Sequence, residues 1–99
     1  MGRYDVYRAP DGVGWLLDVQ ADVLDGLNTR VVVPLLPAPQ APKPARRLNP
    51  VLLVEGREAI MVTQFMSAVP QTLLRAQVGN LGDRGDEVAL ALDMLFSGF

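Results

Sequence analysis

The side chains most often used for acid–base, nucleophilic and zinc chemistry are missing: the chain has no histidine and no cysteine. That excludes a disulfide, a Cys/His zinc site, a thiol nucleophile and an imidazole base. A reaction would have to run on carboxylates and arginines, one serving as general base and the other as cationic stabiliser. Asp22, Arg30, Arg46 and Arg47 are the residues that could take those parts. No spacing in the sequence ties them together. The other chemistry-bearing features suit binding. Arg84 is flanked by Asp83 and Asp86, which reads as a local salt bridge worth under about 1 kcal/mol. The terminal Ser97-Gly98-Phe99 reads as a helix C-cap followed by an apolar tail. No cofactor is expected.

The bulk composition points the same way. With 99 residues the chain makes at most one domain. Hydrophobic residues are 49% and charged ones 20%, which is neither disordered nor coiled-coil-like. Nine Lys and Arg stand against eleven Asp and Glu, so no global basic field recruits nucleic acid. The start, Met1-Gly2-Arg3-Tyr4-Asp5, lacks an apolar signal core, and Val6 sits where a myristoylation motif needs Ser or Thr. Val88 to Phe96, the longest apolar stretch, is broken by Asp93 and is far short of the roughly 20 residues that span a bilayer. A cytoplasmic protein with no membrane contact is expected. A core this small invites a second subunit.

The elements that must position any site are mostly short strands. Tyr4–Arg8 and Trp15–Gln20 flank Pro10-Asp11-Gly12 and form a predicted hairpin with its loop near residues 9–14. Asp25-Gly26-Leu27-Asn28 is a turn, followed by the β-branched run Thr29–Val33, which Pro34 is expected to stop. Pro34, Pro37, Pro39, Pro42, Pro44 and Pro50 make residues 34–50 a stiff connection of polyproline character, with Lys43, Arg46 and Arg47 in its second half. Val51–Val54 and Ala59–Thr63 flank the turn Glu55-Gly56-Arg57-Glu58. Both arms are apolar on both faces, which predicts central strands covered on each side. Val69–Leu74 is a further strand candidate in which Pro70 must lie at a start, edge or bulge. Glu87–Phe96 is rich in helix formers, with Asp83 or Asp86 to cap it and Gly98 just past its end. Apolar nearly all round, this helix should be buried on more than one side, by the sheet and by a second copy. The expected fold is mainly β with one C-terminal α-helix, the bent antiparallel sheet closing into a small barrel.

Several stretches together resemble the CcdB family of toxins from bacterial toxin–antitoxin modules. They are Asp18-Val19-Gln20-Ala21-Asp22-Val23-Leu24-Asp25, Arg30 to Val33-Pro34-Leu35, Pro50-Val51 and Met66-Ser67-Ala68-Val69-Pro70. Val78, Leu81, Arg84, Val88, Ala91, Met94-Leu95-Phe96 and Gly98 complete the set. The similarity covers nearly the whole chain, with a shortened first hairpin loop around residues 9–14, and implies a single toxin domain over residues 1–99. It implies an SH3-like barrel with an accessory antiparallel sheet, and a homodimer whose helices meet near the two-fold axis. The implied activity is inhibition of a topoisomerase rather than catalysis: the toxin binds the A subunit of DNA gyrase and traps the cleaved-DNA complex. A cognate antitoxin, disordered in its C-terminal half, neutralises it. No direct nucleic-acid binding by the toxin alone is implied.

Carried over position by position, the resemblance assigns gyrase binding to Ser97, Gly98 and Phe99. It assigns antitoxin binding to Val23, Leu24, Asp93 and Phe96. The family's terminal tripeptide typically reads Trp-Gly-Ile, so Ser97 replaces a tryptophan that stacks on a gyrase arginine, a contact worth about 0.5–2 kcal/mol. Both copies of that contact would be lost together in a two-fold dimer. Two alternatives follow. One is a CcdB-like fold that binds antitoxin but does not poison gyrase. The other is an endoribonuclease toxin of the same barrel type.

Overall fold

A computed structural model describes residues 2–98. Seven strands form one curled antiparallel half-barrel sheet, and a single helix follows at the C-terminus. The strands are β1 (Asp5–Arg8), β2 (Trp15–Asp18), β3 (Thr29–Leu36), β4 (Val51–Val54), β5 (Arg57–Met61), β6 (Ser67–Pro70) and β7 (Gln77–Asn80). The order across the sheet is β4-β5-β3-β2-β1-β7, and β6 branches off β3. The helix α1 runs Gly85–Ser97. The mainly-β architecture with one terminal helix is thus the one the sequence predicts.

Local turn chemistry builds the two hairpins. Pro10 to Gly14 turn β1 into β2 in the register Val6 opposite Leu17 and Arg8 opposite Trp15. Gly14 has φ +71°, and a Cβ there would collide with the Leu35 carbonyl oxygen, so only glycine fits. Between β4 and β5, Glu55 and Gly56 both have positive φ, as a two-residue turn matched to strand twist requires. Val54 opposes Arg57 and Val51 opposes Ile60.

Four expectations are corrected by the tertiary arrangement. Pro34 does not stop β3, which continues to Leu36 with Leu16 opposite Pro34. Along its other side, β3 pairs β6 through Thr29–Val32 and β5 through Leu35–Leu36. Pro34 lies between those two partners. Its carbonyl accepts from Val62 N–H at 2.9 Å, and its missing donor falls where no strand needs one. Second, β4 is an edge strand, not a central one: Leu52 and Val54 face the core while Val51 and Leu53 are exposed. Third, the strand candidate at Val69–Leu74 belongs to β6, which ends at Pro70 where a single 3-10 turn begins; β7 follows it and was not anticipated. Fourth, α1 starts two residues before Glu87, and no side chain caps it. Burial against the sheet is as expected, with Val88 and Ala91 fully buried, while Leu90 and Phe96 are 57% and 71% exposed within this one chain.

The core joins both faces of this arrangement. Val6, Leu17, Val33, Leu35, Leu52, Met61, Val88 and Ala91 belong to one buried apolar cluster, so α1 closes the open side of the sheet. A smaller cluster of Tyr7, Val32 and Leu74 lies under β6. Asn49 ties the proline-rich connection down: its side chain donates to the Met61 carbonyl at 3.0 Å and accepts from Ala45 N–H at 2.8 Å. The Thr63 hydroxyl donates to the Leu48 carbonyl. Among the described residues no helix is long and apolar enough to cross a membrane.

Candidate functional site

The end of α1 is an exposed, mostly uncharged tip. Asp93, Phe96, Ser97 and Gly98 are all exposed. Gly98 takes the left-handed conformation, φ +81°, and its N–H donates to the Met94 carbonyl at 3.1 Å. That bond satisfies one of the carbonyls left free at a helix C-terminus and aims the chain away from the helix axis. No basic residue occupies the last turn, so Asp93 faces solvent without a cation on its own helix turn. Phe99, the third residue expected to bind gyrase, lies outside the described residues. Arg84, at the other end, pairs with Glu87 at 2.5 Å rather than with Asp83 or Asp86. The ion pair holds the Glu87 carboxyl below its ordinary range and the guanidinium above its own. Arg84 Nη2 also donates to the Val51 carbonyl at 3.3 Å, linking the helix start to the sheet edge.

Val23 and Leu24 sit in the connection between β2 and β3, within a 3-10 turn spanning Asp22–Leu24. Val23 is 89% exposed, and Leu24 and Leu27 are also exposed. Three large apolar side chains therefore face water within five residues of this loop. Beneath the loop lies a buried polar cluster. Arg30 and Asp18 are fully buried; Nε of Arg30 donates to Asp18 Oδ2 at 2.7 Å, and Nη2 lies 2.7 Å from the same oxygen. Nη1 reaches Asp25 Oδ1 at 3.2 Å. Asp18, ahead of the cost of burial, holds the Arg30 guanidinium above its ordinary range.

These contacts bear on the catalytic set suggested by the sequence. Arg30 is committed to Asp18 and Asp25, and Asp22 accepts from Arg3 N–H at 2.8 Å. Arg46 and Arg47 are exposed in the proline-rich connection. Among the described residues, no hydrogen bond or ion pair joins Asp22 to any of the three arginines. Ser67 and Ala68 lie on β6, paired with Val32 and Val31. Among the described residues no group of three Asp or Glu side chains could hold a metal ion.

One cluster was missed at the sequence level. A cleft of about 600 Å³ opens between the β1–β2 turn and the proline-rich connection. Trp15 Nε1–H donates to Glu55 Oε1 at 2.9 Å, Arg8 Nη2 donates to Glu55 Oε2 at 2.9 Å, and the Arg57 guanidinium lies 5.7 Å from the Trp15 ring. The donors from Arg8 and then Trp15 hold the Glu55 carboxyl below its ordinary range. A carboxylate so held is a poor proton acceptor at neutral pH. The residues come from sequence positions 40 and more apart, so no local motif announces them.

The fold and the two exposed surfaces can now be set beside known proteins. A family model described as CcdB protein matches residues 3–98. The chain belongs to the CcdB family. It is thus a toxin-family chain, and its barrel is shared more widely. A mycobacterial endoribonuclease solved in complex with its cognate antitoxin superposes with a TM-score of 0.79 at 14% identity, covering 97% of this chain and 94% of that one. The Mycobacterium tuberculosis toxin MazF-mt6 gives a TM-score of 0.75 at 15% identity, covering 95% and 96%. At such identities the likeness is one of fold.

Proposed function

We propose that this CcdB-family chain is the toxin of a bacterial toxin–antitoxin module that binds the DNA gyrase A subunit and traps the gyrase–DNA cleavage complex. It acts in the cytoplasm as a homodimer and is neutralised by a cognate antitoxin. The reading is carried by family membership across residues 3–98, joined to a helix tip whose Phe96, Ser97 and Gly98 are free to contact a partner. Ser97, Gly98 and Phe99 are assigned to gyrase, and Val23, Leu24, Asp93 and Phe96 to the antitoxin. The one-sided burial of α1 supports a dimer, because Leu90 and Phe96 are left for a second surface to cover.

Induction of the chain in bacteria is expected to arrest growth with double-strand DNA breaks, relieved by a gyrase A subunit altered at the toxin site. Arrest without DNA damage would defeat the gyrase reading. Ser97→Trp adds a stacking surface and is expected to tighten binding to a gyrase A fragment by roughly tenfold, from one contact of about 1–2 kcal/mol. No binding by either form would leave a CcdB-like protein that engages antitoxin alone.

A second reading, an endoribonuclease, is favoured by the mycobacterial endoribonuclease of the same fold. Against it stand the committed partners of Arg30 and Glu55. Specific cleavage of RNA by the purified chain would establish it.

A further inference from the structure

We infer that Gln20, Arg30 and Asp25 are positioning residues that pre-set the exposed 21–28 loop for its protein partner. The inference rests on the proposed docking of antitoxin through Val23 and Leu24. Residues 21–29 are all exposed, so apolar burial cannot hold this loop in one shape. A loop of that kind ordinarily fluctuates, and a partner would have to order it on binding.

Polar anchors from beneath replace the missing core. Gln20, itself buried, donates through Nε2 to the Leu24 carbonyl at 3.1 Å and to the Thr29 carbonyl at 3.2 Å. Its Oε1 accepts from Val31 N–H at 3.1 Å, so one side chain spans the start, middle and end of the loop. The Gln20 backbone N–H is fixed in turn by Asp18 Oδ1 at 3.0 Å. Arg30 reaches out from the core to Asp25, whose carboxylate is 58% exposed and has no other ion-pair partner among the described residues. Asp22 accepts from Arg3 N–H, and the Asn28 carbonyl accepts from Gln71 N–H at 2.9 Å. The loop is therefore held along its length, and the cost of displaying Val23 in water is not followed by a large ordering cost on docking.

The test uses Asp25→Ala and Gln20→Leu, with Asp25→Asn as the conservative variant that keeps an acceptor for Arg30, and Val23→Ala as the direct-contact control. Two quantities are read. The first is hydrogen exchange of the Leu24, Asp25 and Leu27 amides, which bond to the Ala21, Asp22 and Leu24 carbonyls. The second is affinity for the antitoxin expressed from the reading frame adjoining the gene. Losing one charge-assisted or buried hydrogen bond predicts roughly tenfold faster loop exchange and roughly tenfold weaker binding in Asp25→Ala and Gln20→Leu. Exchange in β3 and β5 should be unchanged, and Asp25→Asn, which keeps the acceptor but not the charge, should fall between the parent and Asp25→Ala. Weaker binding in Val23→Ala with unchanged loop exchange and affinity in Asp25→Ala and Gln20→Leu would overturn the inference alone. Unchanged binding in Val23→Ala would overturn the docking reading and the inference with it.

Discussion

Asp18→Asn is the substitution that most directly probes what holds this fold. Asp18 and Arg30 are both fully buried, on β2 and β3, and the closest approach is 2.7 Å. Asparagine has nearly the same shape and keeps an oxygen for the Gln20 N–H that Asp18 accepts at 3.0 Å. What it removes is the negative charge. Arg30 remains charged at any accessible pH and retains only Asp25, at 3.2 Å on the solvent side. Leaving a buried charge without its partner costs about 3–5 kcal/mol. A chain of 99 residues is stable by about 5–15 kcal/mol in total. The variant should therefore lose a large part of its stability, a fall of roughly 15–30 °C in Tm. Arg30→Met should cost a similar amount, because it strands the Asp18 carboxylate. The double variant removes both charges and should be more stable than either single one, within about 2 kcal/mol of the parent. Urea unfolding at fixed protein concentration measures all four, with Trp15, the sole tryptophan and a core residue, as the fluorescent probe. A loss below about 1 kcal/mol in Asp18→Asn, or strict additivity in the double variant, would refute the argument.

Trp15 also reports on Glu55, whose carboxyl is depressed below 4.5 by Arg8 and Trp15. A depressed folded-state value contributes stability above pH 4.5 that is lost as pH falls through the folded value. The indole fluorescence should titrate with a midpoint below 4.5 and lose that transition in Glu55→Gln; a midpoint at or above 4.5 would contradict the assigned hydrogen bonds. Two glycines of similar φ separate crowding from backbone strain. Gly98→Ala, with open space around its Cβ, should cost only about 1 kcal/mol of helix-end stability. Gly14→Ala meets the Leu35 backbone as well and should cost several times more by thermal unfolding.

Features that depend on a residue and its near neighbours were legible without the fold. Pro10 to Gly14 and Glu55-Gly56 specify turns through their own backbone preferences, and the strands on either side follow from β-branched and apolar runs. Gly98 marks the helix end for the same reason, since a left-handed residue there needs no tertiary support. The resemblance to CcdB rested on segments spread along the chain, and the family match over residues 3–98 agrees with it. The side chains named for partner binding proved exposed, apart from Phe99, which lies outside the described residues.

Sheet order and register set the remaining features. Nothing local in Val51–Val54 distinguishes a central strand from an edge; the pairing of β5 with β3 on its far side leaves β4 outermost. Pro34 is tolerated inside β3 because two different strands share that flank and leave a gap at its nitrogen. Asp18 and Arg30 meet across the β2–β3 pair, and Trp15, Arg8 and Glu55 meet only when the two hairpins lie side by side. The sequence by itself determined what chemistry is impossible, through the absence of His and Cys, and where the chain turns, because both depend on single residues and their immediate neighbours. Only the tertiary structure decided which charges are buried together and which apolar side chains are left in water, because those depend on strand partners far away along the chain.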